Sequence, residues 1–187
     1  MADPIPELHA GNTVVTNDLE SAIVRTLSPG NYTAVVRGVG GGTGIGLVEV
    51  YDLSQASASL LANISSRGFV DTGDNVMIGG FIIGPVDRSN PRVVVRALGP
   101  SLSSSGVPNT LQNPTLELHD GSGTTIASND DWPTDPNSSL VVANGLAPSD
   151  TRESAIFTPL TPGVYTAIVR GAGNTTGVGL VEVYNLQ

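Results

Sequence analysis

The chain has 187 residues and a net charge of −9, and all 8 of its basic residues are arginine. Without lysine there is no Schiff-base or P-loop lysine and no Lys–Asn isopeptide staple; without cysteine there is no disulfide, thiolate nucleophile or thiolate metal site. An acidic chain with no basic stripe points away from nucleic acid and anionic membrane, and leaves divalent cations open.

Aromatic residues make up only 4%, so a core has to be built from Val, Ile, Leu and Ala. The 23 glycines and 13 prolines fit short strands joined by tight turns. The opening MADPIPELHAG has neither a basic nor an apolar leader region. Its Glu7–Gly11 matches Glu117–Gly121, and Thr16–Asp18 matches Ser128–Asp130. Ser21–Leu53 then matches Ser154–Leu186 without a gap at an offset of 133 residues, with 22 of 33 positions identical. Residues 1–53 therefore read as a contracted copy of about 114–187 that lacks most of the connecting stretch Asp131–Arg152.

Within each copy a Pro-Gly turn, Pro29-Gly30 or Pro162-Gly163, precedes an alternating strand. In the second copy Tyr165, Ala167 and Val169 alternate with Thr166, Ile168 and Arg170. The Gly-rich segments Gly38–Gly46 and Gly171–Gly179 read as hairpin loops, and the two copies are expected to adopt the same strands. Residues 54–66 form a connector of small and polar residues. Three further strands are expected over Gly68–Val70, Asn75–Ile83 and Arg92–Leu98. In the last, Val93, Val95 and Ala97 face opposite to Arg92, Val94 and Arg96. Thr115–Asp120 follows, with Leu116 and Leu118 opposite Glu117 and His119. No stretch has a helical period, and the longest apolar run, Val76–Val86, is too short to span a bilayer. The expected fold is all-β, an antiparallel β-sandwich or jelly roll over residues 67–187 preceded by the partial repeat.

The phrases RGFVDTGDNVMIGGFII, RVVVRALGPSL, PTLELHDGSG, IASNDDW, GLAPSDTRESAI and YTAIVRG resemble a repeat of large secreted proteins of environmental, verrucomicrobial-type bacteria. More loosely, LELHDGSGTTIASNDDW followed by TPLTPGVYTAIVRG, within residues 114–183, is similar to the bacterial pre-peptidase C-terminal domain, a jelly-roll appendage of secreted enzymes. Both resemblances imply an extracellular or cell-surface location and a leader absent from this chain.

Asp120, Asn129, Asp130 and Asp131 supply the hard oxygens that Ca²⁺ takes, and a hairpin is expected to bring them together; the same residues also suit turns. Asp135 extends this acidic run, and Ala10 replaces Asp120 in the first copy. Trp132, the one tryptophan, is either a ligand platform or a loop anchor. His9 and His119 share one repeat position beside Glu7 and Glu117, without the nucleophile and orienting partner that catalysis needs. These features point to a non-enzymatic structural module of a surface assembly, fibre or adhesin that self-associates with copies of the same chain by strand complementation. The alternative is a calcium-dependent polymer- or carbohydrate-binding appendage of a secreted enzyme.

Overall fold

Val93, Val95 and Ala97 point into one face of a strand and Leu116 and Leu118 into one face of another, and all five are completely buried. The alternation read from sequence is thus the alternation of a sandwich core. The computed structural model describes residues 17, 19–52, 61–84 and 91–186. They fall in two units, Met1–Ser59 and Leu60–Gln187.

The second unit holds eight strands: β1 (Asn63–Val70), β2 (Met77–Ile83), β3 (Arg92–Leu98), β4 (Pro114–Asp120), β5 (Thr125–Asn129), β6 (Ser154–Pro159), β7 (Gly163–Gly171) and β8 (Gly177–Leu186). They form two four-stranded antiparallel sheets, ordered β1-β8-β3-β6 and β2-β7-β4-β5. The first strand pairs with the last, the second with the seventh and the third with the sixth, which is jelly-roll connectivity. The core between the sheets takes Val93, Val95, Ile156, Val181 and Val183 from one and Leu116, Leu118, Tyr165, Ala167 and Val169 from the other. β1 begins at Asn63, inside the stretch read from sequence as connector.

One expectation is corrected here. The segment after β7 is not a hairpin loop. Both edges of β7 are taken by β2 and β4, and both edges of β8 by β1 and β3, so the chain crosses from one sheet to the other through the turn Ala172–Asn174. Val94, on the side of β3 opposite Val93 and Val95, is buried as well. It is fully buried on the outer face of β3, in a second cluster with Val141, Ala155 and Phe157 against which Trp132 and Leu146 pack. The cover is the connecting stretch after Asp131, which contains a short 3₁₀ turn, Trp132–Thr134, and a helix of one and a half turns, α1 (Ser138–Ala143). Backbone and side chain pin it to β6 and the residue before it: Trp132 N donates to Glu153 O at 2.7 Å and Asn137 Nδ2 to Phe157 O at 3.1 Å.

The first copy also departs from expectation. Residues 19–52 contain the 3₁₀ turn Val39–Gly41 and no strand, although their local geometry repeats that of the second copy. Tyr32 Oη donates to Ser28 O at 2.7 Å as Tyr165 Oη does to Thr161 O at 2.8 Å. Gly40 and Gly173, at equivalent places in the two 3₁₀ turns, both take left-handed backbone, with φ of 64° and 63°. What differs is the supply of partners. β3 separates β8 from β6, β1 flanks β8, and β2 flanks β7. The first copy repeats β6–β8, but the chain has a single β1–β3 set, and that set lies in the second unit. Strand sequences without neighbours stay extended and unpaired.

The same substitution therefore has different consequences at two equivalent valines. Val181 is 3% exposed and Val48 is 50% exposed. Val181→Ala is expected to lower the urea-unfolding free energy by roughly 2 kcal/mol. Val48→Ala is expected to change it by less than about 0.5 kcal/mol.

Candidate functional site

Three polar groupings stand out. The first is the acidic run read from sequence as a calcium site. Its members do not converge. β5 runs antiparallel to β4 with Asn129 opposite Leu116, so Asp120 lies at the other end of the hairpin, four residues along β4. At strand rise that is about 13 Å. Asp120 is a turn residue: its Oδ1 accepts from the backbone N–H of Ser122 at 2.9 Å and of Thr124 at 3.0 Å, and Gly123 takes φ 84°. These bonds, the Ser122 hydroxyl first among them, hold its carboxyl below the usual carboxylate range. Asn129 is committed as well, accepting from Ala155 N at 3.0 Å and donating to Asp131 O at 3.1 Å.

Asp130 and Asp135 line an open cavity of about 400 Å³ between the β4–β5 pair and the covering stretch, with Thr115, Glu117, Ser128 and Thr134 also on its walls. Burial pushes both carboxyls above their usual range, and the neighbouring Asp131 adds to the shift at Asp130. Among the described residues no three His, Cys, Asp or Glu side chains are grouped to hold a metal ion. Trp132 is an anchor of the covering stretch, half-buried against the second cluster with its Nε1 out of water.

The second grouping lies on the same sheet, on the outer face of β4 and β7. His119 Nε2 lies 3.0 Å from Glu117 Oε2, which also accepts from Arg170 at 3.1 Å. The Gly123 carbonyl and then Glu117 push the His119 pKa up. This is a surface ion network across neighbouring strands. Its repeat counterpart, His9, lies outside the described residues.

The third grouping was not singled out from sequence, and it ties β6–β8 to β3. Arg96 of β3 donates from Nε to Glu182 Oε2 at 2.9 Å, from Nη1 to Leu146 O at 2.8 Å and from Nη2 to Tyr184 Oη at 3.0 Å, and it sits 5.0 Å from the Tyr184 ring centre. Tyr184 Oη donates in turn to Glu182 Oε1 at 3.0 Å. Directly after β3, the fully buried Glu153 accepts from the backbone N–H of Gly99 and of Ser101, each at 2.9 Å. Gly99 is required there, because a Cβ would lie 2.1 Å from Leu111 O. So Glu153, just before β6, and Glu182, within β8, both take donors from β3 or from the Gly99–Ser101 turn that ends it.

The first copy carries the same groups at the same offset. Glu20, Glu49 and Tyr51 correspond to Glu153, Glu182 and Tyr184. Tyr51 Oη donates to Glu49 Oε1 at 3.0 Å, the distance found between Tyr184 and Glu182. That bond and the charge of Glu49 push the Tyr51 pKa up. Among the described residues no arginine reaches Glu49, and the Glu20 side chain makes no hydrogen bond. The recurrence of Glu-x-Tyr and of Glu-Ser-Ala-Ile at one offset was the sequence signal for these residues.

No protein-family model matches the chain, and a search of curated proteins finds no match. Among solved structures, the chain is similar to the pre-peptidase C-terminal domain of collagenase from Bacillus anthracis, with a TM-score of 0.40 and 16% identity over 65% of this chain and 88% of that one.

The raised carboxyl of Asp135 sets a pH dependence. A group whose folded-state pKa is raised stabilises the fold most fully below the usual carboxylate value, and loses that contribution as pH climbs through the raised value. Asn at this place still accepts the bond from the backbone N–H of Asn137, made at 2.7 Å, without titrating. In thermal melts, the Tm of wild type minus that of Asp135→Asn is therefore expected to be higher at pH 4 than at pH 7.

Proposed function

We propose that this chain is a non-catalytic structural module of an extracellular, repeat-built assembly in which strand sets of one unit complete the sheets of another. The observation that carries the reading is the state of residues 21–52. They have the local turns of the β6–β8 segment and its two tyrosine hydrogen bonds, yet their apolar side chains stand in water. Ile23 is 85% exposed and Val36 63%, whereas their counterparts Ile156 and Val169 are 1% and 0% exposed. An extended, unpaired segment with an apolar face recruits other strands. Partner strands from another molecule would supply what this chain has only once.

The extracellular placement is supported by the resemblance of the repeat phrases to those of secreted proteins. The non-catalytic reading is supported by what the polar groups do: Asp120 and Asn129 hold turns, Glu153 and Glu182 hold β3, and His119 belongs to a surface ion network. Self-association is part of the proposal. Sedimentation velocity at rising concentration is expected to show oligomers for the full chain, held through the exposed apolar faces of residues 21–52, and a folded monomer for a chain lacking residues 1–53. A full chain that remains monomeric at the highest concentrations would contradict the reading.

A further inference from the structure

Thirteen positions of residues 154–186 are buried, and twelve of them carry the same residue in the first copy. The other twenty positions carry only ten identities. The first copy has therefore kept the residues that meet β1–β5 in the closed sandwich, although among the described residues of its own unit they stand exposed. The one buried difference is Phe157, which is Val24 in the first copy. Phe157 lies under the covering stretch after Asp131, the stretch that the first copy lacks, so the smaller residue fits a version without a cover.

Counting strand sets narrows the partner. Each chain has two closing sets, 21–53 and 154–186, and one β1–β5 set, already closed by 154–186. A partner for the first copy has to bring open strands of the β1–β3 kind. The unmatched polar groups say which strand matters most. Glu182 and Tyr184 take Arg96, and Glu153 takes the N–H groups of Gly99 and Ser101. All of these partners lie on β3 or in the turn that ends it.

We propose that residues 20–52 are a receptor for a β3-type strand of another repeat unit, one that reads Arg-x-x-Gly-Pro-Ser as Arg96–Ser101 does and lacks closing strands of its own. Glu49 and Tyr51 take its arginine, and Glu20 caps the Gly-Pro-Ser turn. This rests on the strand-complementation reading above and names the partner it requires. The acidic charge of Glu49 selects against strands without a cation at that place, because burying an unpaired carboxylate is unfavourable.

The test uses the full chain and, as probe, a dye-labelled fragment of residues 91–103 of the same sequence, which carries β3 and the turn that ends it and no closing strands. Fluorescence anisotropy is expected to show one-to-one binding to the full chain and none to a chain of residues 60–187. Glu49→Arg in the full chain, or Arg96→Glu in the fragment, is expected to weaken binding by a factor of about thirty or more. Combining the two reversals is expected to recover at least about tenfold of that loss. Glu49 lies outside the closed sandwich, so Glu49→Arg leaves the Tm of the second unit unchanged. Equal binding by wild type and Glu49→Arg would overturn the receptor assignment while leaving complementation standing. Binding to the chain of residues 60–187 would place the site in residues 154–186 and overturn it too. No binding to any full-length chain would overturn complementation itself.

Discussion

Everything in the second unit leans on β3. It is the strand between β8 and β6, so the four-stranded sheet it belongs to would be severed by its loss. It is buried on both faces, by the inter-sheet core on one side and the covering stretch on the other. It also carries the arginine that Glu182 and Tyr184 hold, and it runs into the turn that Glu153 caps. An arginine in such a place is favourable only when its donors are spent, and here Nε, Nη1 and Nη2 all find acceptors.

The same strand explains the first copy. Its residues reproduce the short-range features of β6–β8: the tyrosine bond across the Pro-Gly turn, the left-handed glycine and the Glu–Tyr pair. Those features depend on residues within a few positions of one another. Strand pairing depends on neighbours brought from far away in sequence, and among the described residues the first copy has none. One sequence in two contexts thus separates what local chemistry specifies from what tertiary partners specify.

This separation also marks what could be read from sequence. The alternation at Leu116 and Leu118, at Tyr165, Ala167 and Val169, and at Val93, Val95 and Ala97 announced the strands and their inner faces, because a period of two is a local property. The burial of Val94 was not legible, because it depends on a covering stretch that begins more than thirty residues later. Nor was the crossing after β7, since a Gly-rich link reads the same whether it turns back within a sheet or passes between sheets. The acidic residues were legible as turn formers, but their grouping failed on strand length: β5 carries Asn129 away from Asp120. Glu153, Arg96 and Glu182 were overlooked because a charged residue in a strand suggests solvent, and their burial is visible only once β3, β6 and β8 lie side by side.

The most direct measurement is amide hydrogen exchange on the full chain, diluted until it sediments as a monomer, comparing Thr33–Arg37 with Thr166–Arg170 in one sample. The two stretches differ only by Val35 in place of Ile168, so their intrinsic exchange rates are nearly the same. Residues 166–170 lie in β7 with a neighbour on each side, whereas residues 33–37 have no strand neighbour among the described residues. The account predicts exchange at close to the unprotected rate for the first stretch and protection by several orders of magnitude for the second. Comparable protection in the two would show that the first copy has found partners within its own chain, and would contradict the dependence on a second β3.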